Sequence, residues 1–131
     1  MTAFSQPPET PNGVYPYLTV TGGKEAVAFY EEAFGATERF RNTNGDSGLI
    51  LHSQLVINGA LIMLSDDFSG GAPPPGRVTL HLQVDDARAW WDRAVAAGAT
   101  VTMPLEDQFW GDRYGQLKDP YGHSWSIGQS L

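Results

Sequence analysis

The sequence predicts an α+β protein made of two tandem βαβββ modules, and two observations support this prediction. Strand-like and helix-like hydrophobic patterns occur twice in the same order, on either side of a Gly- and Pro-rich block at Asp66–Gly76. The two halves also share a motif in which an aromatic pair precedes Gly-Ala-Thr, at Gly35–Thr37 and at Gly98–Thr100. A period of roughly 60 residues present in two copies indicates duplication of one supersecondary unit.

The first half predicts a strand, a helix and three further strands. Val14–Val20 is aromatic and β-branched, which is typical of a strand. After Gly22 and Gly23, apolar residues recur at helical spacing over Lys24–Phe34, and Gly35 ends this predicted helix. The three strands that follow, of which the last two form a hairpin, are predicted at Thr37–Arg41, Leu49–Ile57 and Ala60–Ser65.

The second half repeats this order. Val78–Val84 predicts a strand, Asp85 and Asp86 suit the start of a helix, and the helix is predicted over Ala87–Ala97 with Gly98 at its end. The remaining strands are predicted at Ala99–Met103, Tyr114–Lys118 and Ser124–Ile127.

These patterns predict one structural domain with four segments. Residues 1–13 are rich in Pro, Ser, Thr and Glu and predict a flexible arm. Residues 14–68 form the first predicted module, residues 69–76 the linker, and residues 77–131 the second module. Asp66 and Asp67 precede the linker and are expected to be solvated.

Composition excludes several classes of function. The chain has 131 residues, with 15 acidic and 8 basic side chains and a net charge of -7, so neither nucleic acid nor a membrane surface is an expected partner. It has no cysteine, which excludes a thiolate nucleophile and cysteine-ligated metal. No apolar run approaches the roughly 20 residues that cross a bilayer, and we expect a cytoplasmic protein.

Two strands carry polar side chains in alternation. His52 and Gln54 share one face of their predicted strand, and Thr79 and His81 share one face of theirs. Each histidine can be a structural residue bonded to neighbouring strands or can contact a ligand, and both alternatives stay open. His52 and His81 are also the candidates for a catalytic general base.

The segment Phe109–Tyr114 is a dense aromatic and charged loop. It can be a packing block in which Asp112 and Arg113 pair locally. Alternatively, it can form the wall of a binding site in which Trp110 stacks on a planar ligand and Arg113 binds an anionic group.

Three stretches of the chain together resemble a known family. "FYEEAFGA", "VDDARAWWDRAVAAGATV" and "DQFWGDRYGQLKDPYGHSWSI" are similar to the vicinal oxygen chelate superfamily, which includes glyoxalase, bleomycin-resistance proteins and dioxygenases, and within it to the PhnB-like branch. The resemblance extends from Val14 to Ile127. It implies that the curved mixed sheets of the two modules form a cup that binds a small molecule, commonly in a homodimer. It also implies that enzymatic members hold a divalent metal with side chains from the first and fourth strands of each module.

The resemblance places the metal-ligand positions on neutral residues. They align with Tyr15, with Gln54 or its register alternative His52, with Thr79 and with Ser126. These side chains are poor ligands for a divalent metal, so we expect neither a metal nor another cofactor, and no glyoxalase I activity.

The sequence therefore predicts a small-molecule binding protein of this superfamily, forming a homodimer around an unidentified ligand. The alternative is a superfamily enzyme, a lyase, isomerase or dioxygenase, that uses a metal site built from other residues or a histidine base. The residues expected to contact the ligand are Tyr15, His52, Gln54, Thr79, His81, Trp110, Arg113 and Ser126.

Overall fold

A computed structural model describes residues 7–12, 15–68 and 78–131. The predicted linker at 69–76 and residues 1–6 and 13 of the predicted arm lie outside the described residues. So does Val14, where the first strand was predicted to begin. Neither described helix has the length and apolar character needed to cross a membrane.

Within the described residues, the strands and helices follow the predicted order twice. The first set is β1 (Tyr17–Val20), α1 (Gly23–Phe34), β2 (Thr37–Thr43), β3 (Ile50–Ile57) and β4 (Ala60–Asp66). The second set is β5 (Thr79–Gln83), α2 (Ala87–Ala97), β6 (Thr100–Asp107), β7 (Asp112–Lys118) and β8 (Ser124–Ser130).

The two sets form two four-stranded mixed sheets with the same topology. Their strand orders are β1-β4-β3-β2 and β5-β8-β7-β6. In each sheet the first strand pairs parallel with the fourth, and the other pairs are antiparallel. The α+β class and the duplicated βαβββ module are therefore confirmed.

The chain divides into two compact units. The first unit holds β1–β4 and most of α1, and the second holds β5–β8, α2 and the last turn of α1, Glu32–Phe34. Within the second unit, Arg93 Nε donates to the Glu32 carbonyl oxygen at 3.0 Å, and the Phe34 ring lies 4.6 Å from the ring of Trp125.

β6 extends four residues beyond its predicted end at Met103. Pro104 follows directly, and the sequence gives no reason for a strand to continue through a proline. The pairing of β6 with β7 has register shifts between Val101 and Met103 and between Met103 and Glu106, which accommodate the proline as a bulge does. The strand then resumes its pairing as far as Asp107.

Asp66 is buried, and the expectation that it is solvated was wrong. Its carboxylate accepts hydrogen bonds from the backbone N–H groups of Gly22 and Gly23, at 3.2 and 2.8 Å, and of Ile50 at 2.7 Å. One side chain at the end of β4 thus holds both the start of α1 and the start of β3. In the second unit, Gln129 of β8 plays the matching part by accepting from Ala87 N at 2.9 Å.

The core of the second unit depends on a close contact between α2 and β7. The backbone of Gly115 faces the buried ring of Trp91, and a Cβ atom at Gly115 would lie 2.5 Å from that ring and 2.9 Å from the Leu105 Cα. The indole of Trp125 is also fixed, because its N–H donates to the buried Asp119 carboxylate at 2.8 Å.

We expect Gly115→Ala to lower the free energy of unfolding by about 1–3 kcal/mol, because both obstructing groups belong to packed structure. Gly128→Ala is the matched control. Its Cβ would meet the end of the exposed His81 side chain at 2.8 Å, which can shift only by weakening its hydrogen bonds to Gln83 and Ser126, so we expect a smaller loss of about 1 kcal/mol or less. Urea unfolding of both variants measures the difference, and equal losses would contradict the packing argument.

Candidate functional site

Each sheet has one apolar buried face and one polar face. In the first unit, the polar face is formed by Tyr17, Thr19, His52, Gln54 and Met63. Along β1, β3 and β4 these residues alternate with residues of the opposite face, which are apolar apart from the buried Ser53. We call this the first polar face. The second polar face comprises Thr79, His81, Gln83, Tyr114, Gln116 and Ser126 on β5, β7 and β8.

A chain of hydrogen bonds crosses the first polar face. Arg39 Nε donates to Gln54 Oε1 at 2.7 Å, and Gln54 Nε2 lies 3.0 Å from His52 Nε2. His52 Nδ1 in turn lies 2.9 Å from the Tyr17 hydroxyl. The Gln54 amide is 1% exposed, so its two bonds satisfy a buried polar group at both ends.

This series of hydrogen bonds fixes the tautomer of His52. A guanidinium can only donate, so the Gln54 oxygen must face Arg39 and the Gln54 amide N–H must face His52. His52 Nε2 therefore accepts, and in the neutral ring the proton is on Nδ1 and is donated to the Tyr17 oxygen. Burial lowers the pKa of His52 below its ordinary value, which favours the same neutral form.

The second polar face holds the other candidate histidine in a different arrangement. His81 Nε2 lies 2.8 Å from Gln83 Oε1 and His81 Nδ1 lies 2.7 Å from the Ser126 hydroxyl. Gln83 donates from its own nitrogen to the Ser130 hydroxyl at 3.3 Å. The neutral ring then carries its proton on Nε2 and accepts at Nδ1, so its tautomer is opposite to that of His52.

An aromatic series lies along the second polar face. His81 stacks on Tyr114 with ring centroids 6.0 Å apart, and Trp110 meets Tyr114 edge-on at 5.9 Å. Phe109 lies edge-on to Trp110 at 5.2 Å. We call His81, Tyr114, Trp110 and Phe109 the ring series. Trp110 is 48% exposed and Phe109 97% exposed, so the outer end of the ring series is open to solvent.

Each polar face carries one tyrosine, one histidine and one glutamine next to each other, and the glutamine occupies the matching position in both units. In the first unit Tyr17 pairs with Met63, which pairs with Gln54. In the second unit His81 pairs with Ser126, which pairs with Gln116.

The histidine and the tyrosine are exchanged between the units. His52 stands two residues before Gln54, and Tyr114 stands two residues before Gln116. The first unit therefore has tyrosine on its first strand and histidine on its third, and the second unit has the reverse.

Two residues of the predicted set take part in other contacts. Tyr15 precedes β1, and its hydroxyl donates to the Pro11 carbonyl at 2.8 Å. Arg113 alternates with Tyr114 along β7 and so points to the opposite face, where its Nε contacts Asp107 at 2.7 Å. The predicted local pairing of Arg113 thus exists, with Asp107 as the carboxylate rather than Asp112. This bond lowers the pKa of Asp107 and raises that of Arg113.

The residues at the metal-ligand positions do not fit a divalent metal. Gln54 lies on the third strand of its unit. The residue paired with it on the fourth strand is Met63, which corresponds to Ser126 in the second unit. With Tyr15 and Thr79, the positions therefore offer hydroxyl, amide or thioether groups and no carboxylate, and the register alternative His52 would add a single imidazole. Among the described residues, no group of three or more His, Asp or Glu could hold a metal ion.

Sequence reasoning missed Arg39 and Tyr17. Tyr17 could have been found, because it alternates with Tyr15 on the same strand pattern. Arg39 could not, because it reaches Gln54 only through a register irregularity between Glu38 and Phe40.

The fold agrees with a family assignment. The chain belongs to the Glyoxalase/Bleomycin resistance protein/Dioxygenase superfamily, whose family model matches residues 14–127.

Individual relatives were found by sequence and by structure. An uncharacterised protein of Mycobacterium bovis, Mb0911c, is 45% identical over 129 residues, covering 88% of this chain and 82% of the relative. The crystal structure of protein PA1353 from Pseudomonas aeruginosa is similar with a TM-score of 0.76 and 27% identity, covering 92% of this chain and 98% of that one. The PhnB protein of Bacillus cereus shares the fold with a TM-score of 0.76 and 19% identity, covering 91% and 100%.

We expect the two histidines to show opposite neutral tautomers. Long-range ¹H–¹⁵N correlation spectra at pH 7.5 should report the proton on Nδ1 of His52 and on Nε2 of His81, because their glutamine partners present opposite ends to the rings. The variants His52→Gln and His81→Gln assign the signals. The same tautomer in both rings would contradict the hydrogen-bond directions derived above.

We also expect His52 to make stability depend on pH. Its folded pKa is lowered, so the unfolded chain binds its proton more readily, and the contribution of neutral His52 is fully present above about pH 6.5. This contribution is lost as the pH falls through the lowered folded pKa. Urea unfolding between pH 5 and 7.5 should show a steeper loss in the wild type than in His52→Gln, and parallel curves would refute this.

Proposed function

We propose that this protein binds a small planar ligand by ring stacking and hydrogen bonds on a polar sheet face, without a catalytic metal. The observation that carries the proposal is the chemistry of the four metal-ligand positions. Their side chains are neutral, and some of them already form hydrogen bonds within the protein. The ring series supplies the stacking surface.

A divalent cation would have to displace existing hydrogen bonds at these positions. The Gln54 oxygen accepts from Arg39, and the Ser126 hydroxyl is bonded to His81. The guanidinium beside Gln54 would also repel a cation. The loss of these hydrogen bonds and the repulsion by Arg39 both disfavour metal binding at the positions that the family resemblance indicates.

General-base catalysis by histidine is disfavoured for a similar reason. A base needs an unprotonated ring nitrogen within reach of the substrate proton. The accepting nitrogen of His52 is taken by Gln54, and that of His81 is taken by the Ser126 hydroxyl. Both rings are held as structural parts of the polar faces, which supports a binding role over the enzymatic alternative.

The ring series favours a flat ligand. Trp110 is half exposed and lies edge-on to Tyr114, so one face of an aromatic ring can be covered by a stacked ligand. An open depression of about 260 Å³ is lined by Gln83, Val84, Asp85, Gln129 and Ser130 in the same unit. The ring series does not line this depression, so the preference for a flat ligand rests on the exposed part of Trp110.

Assembly and location stay predictions. The homodimer follows from the family resemblance, and the cytoplasmic location follows from the composition of the chain.

We expect 2-naphthol, used as a planar probe, to bind with the same dissociation constant in EDTA and in added Mn²⁺. Trp110→Ala should weaken this binding by roughly fivefold, since an aromatic contact is worth about 0.5–1.5 kcal/mol. Isothermal titration calorimetry measures both effects.

Trp90→Ala is the matched control, because Trp90 lies in α2 outside the ring series, and its affinity for 2-naphthol should stay at the wild-type value. Binding that requires Mn²⁺, or one equivalent of metal in protein purified without chelator, would favour the enzyme instead. Equal losses in the two tryptophan variants would refute the assignment of the stacking surface.

A further inference from the structure

We propose that the first polar face binds a small ligand through a carboxylate, with the Tyr17 hydroxyl as the hydrogen-bond donor and Arg39 as a positioning residue that orients this hydroxyl. The inference deepens the proposed function, on which it rests, by naming the ligand class as a small organic carboxylate. Two observations carry it, the charge environment of Arg39 and the direction of the hydrogen-bond chain.

Arg39 has only neutral partners, in contrast to Arg41 of the same strand and Arg113 of β7. Arg41 is paired with Glu38 at 2.7 Å, and Arg113 is paired with Asp107 at 2.7 Å. The partners found for Arg39 within the described residues are the Gln54 amide oxygen and, at 3.2 Å, the Thr10 hydroxyl. Its positive charge on the first polar face is therefore uncompensated by any described carboxylate, in a chain of net charge -7.

The hydrogen-bond chain has a single direction. Arg39 donates to Gln54, Gln54 donates to His52, and neutral His52 donates to the oxygen of Tyr17. Tyr17 already accepts, so its own proton is directed away from the chain. Donors linked in one direction polarise each other, which strengthens the last donor, and the cation at the start adds to this effect.

The position of Tyr17 suits a ligand contact. Its side chain is 50% exposed, while the Gln54 amide behind it is buried. The Tyr17 hydroxyl is exposed and is strengthened as a donor by hydrogen bonds that begin at the Arg39 cation. Such a donor is complementary to a negatively charged oxygen. A neutral carbonyl gains less from the same donor.

Arg39 acts on His52 through Gln54, and this indirect role can be detected from the ring nitrogen that carries the His52 proton. Without a donor at position 39, the Gln54 amide is free to turn over and present its oxygen to His52. The His52 proton then moves to Nε2, and Tyr17 donates its proton to Nδ1 rather than to the ligand. Lysine is also a pure donor, so Arg39→Lys should preserve the arrangement that Arg39→Met destroys.

The test compares benzoate with its neutral analogue benzamide in ¹H–¹⁵N NMR titrations of the whole chain. We expect the wild type to bind benzoate about tenfold more tightly than benzamide, and Tyr17→Phe to weaken benzoate about tenfold, as loss of a hydrogen bond to a charged group does. Benzamide affinity should fall less, by about two- to threefold, as loss of a weak hydrogen bond between neutral groups does. Tyr121→Phe, in a turn of the second unit, is the matched control and should bind both probes like the wild type.

The positioning role is read from the His52 ring nitrogens in the same samples. Arg39→Met should move the proton from Nδ1 to Nε2 and weaken benzoate as Tyr17→Phe does, and Arg39→Lys should restore both. Equal affinity for benzoate and benzamide, or an unchanged tautomer in Arg39→Met, would overturn the inference. If 2-naphthol binds through Trp110 while benzoate shows no preference, this inference fails and the proposed function survives. Loss of both kinds of binding overturns both.

Discussion

The parallel pairing of the first and fourth strands within each unit is the constraint on which the rest of the structure depends. Because β1 pairs in register with β4, Tyr17 is separated from Gln54 by one intervening side chain, that of Met63. The same pairing of β5 with β8 separates His81 from Gln116 by Ser126. Side chains distant in sequence thus meet on one face, since alternate residues of paired strands share a face. A slip of one residue in either parallel pair would send these groups into the apolar side of the sheet.

The first polar face is ordered because it starts from a residue with one hydrogen-bonding role. Arg39 can only donate, so the roles of Gln54, His52 and Tyr17 follow in turn. The second polar face contains the Ser126 and Ser130 hydroxyls, which can donate or accept. Its hydrogen-bond directions therefore depend on the Gln83 amide, whose oxygen faces His81 and whose nitrogen faces Ser130. A network whose members are all satisfied rigidifies a sheet face, whereas one missing partner leaves a costly unpaired group. The same rigidity keeps the Tyr17 hydroxyl in place.

Most of the fold could be predicted from the sequence, because hydrophobic periodicity and turn residues are local signals. The α2 bounds are as predicted, and every predicted strand was found within a few residues of its expected ends. The same periodicity placed His52 with Gln54 and Thr79 with His81 on shared faces. It could not place Arg39, whose contact with Gln54 depends on an irregular register between two strands, or foresee that β6 continues past Pro104. It also misjudged Asp66, because only the folded chain brings three backbone donors around that carboxylate.

The exchange of histidine and tyrosine between the two units shows how a duplicated face can keep its shape and change its chemistry. Both units retain a histidine and a tyrosine next to a glutamine. Exchanging the two rings reverses which strand presents the hydroxyl: Tyr17 lies on the first strand of its unit and half exposed, whereas Tyr114 lies on the third strand, accepts from Gln116 at 3.0 Å and stacks on His81. One copy therefore offers a polarised donor, and the other offers a stacking surface. Neither arrangement leaves an imidazole nitrogen free for a cation, because each ring is bonded at both nitrogens. One strand pattern thus carries two different arrangements of the same polar and aromatic residues, one in each unit.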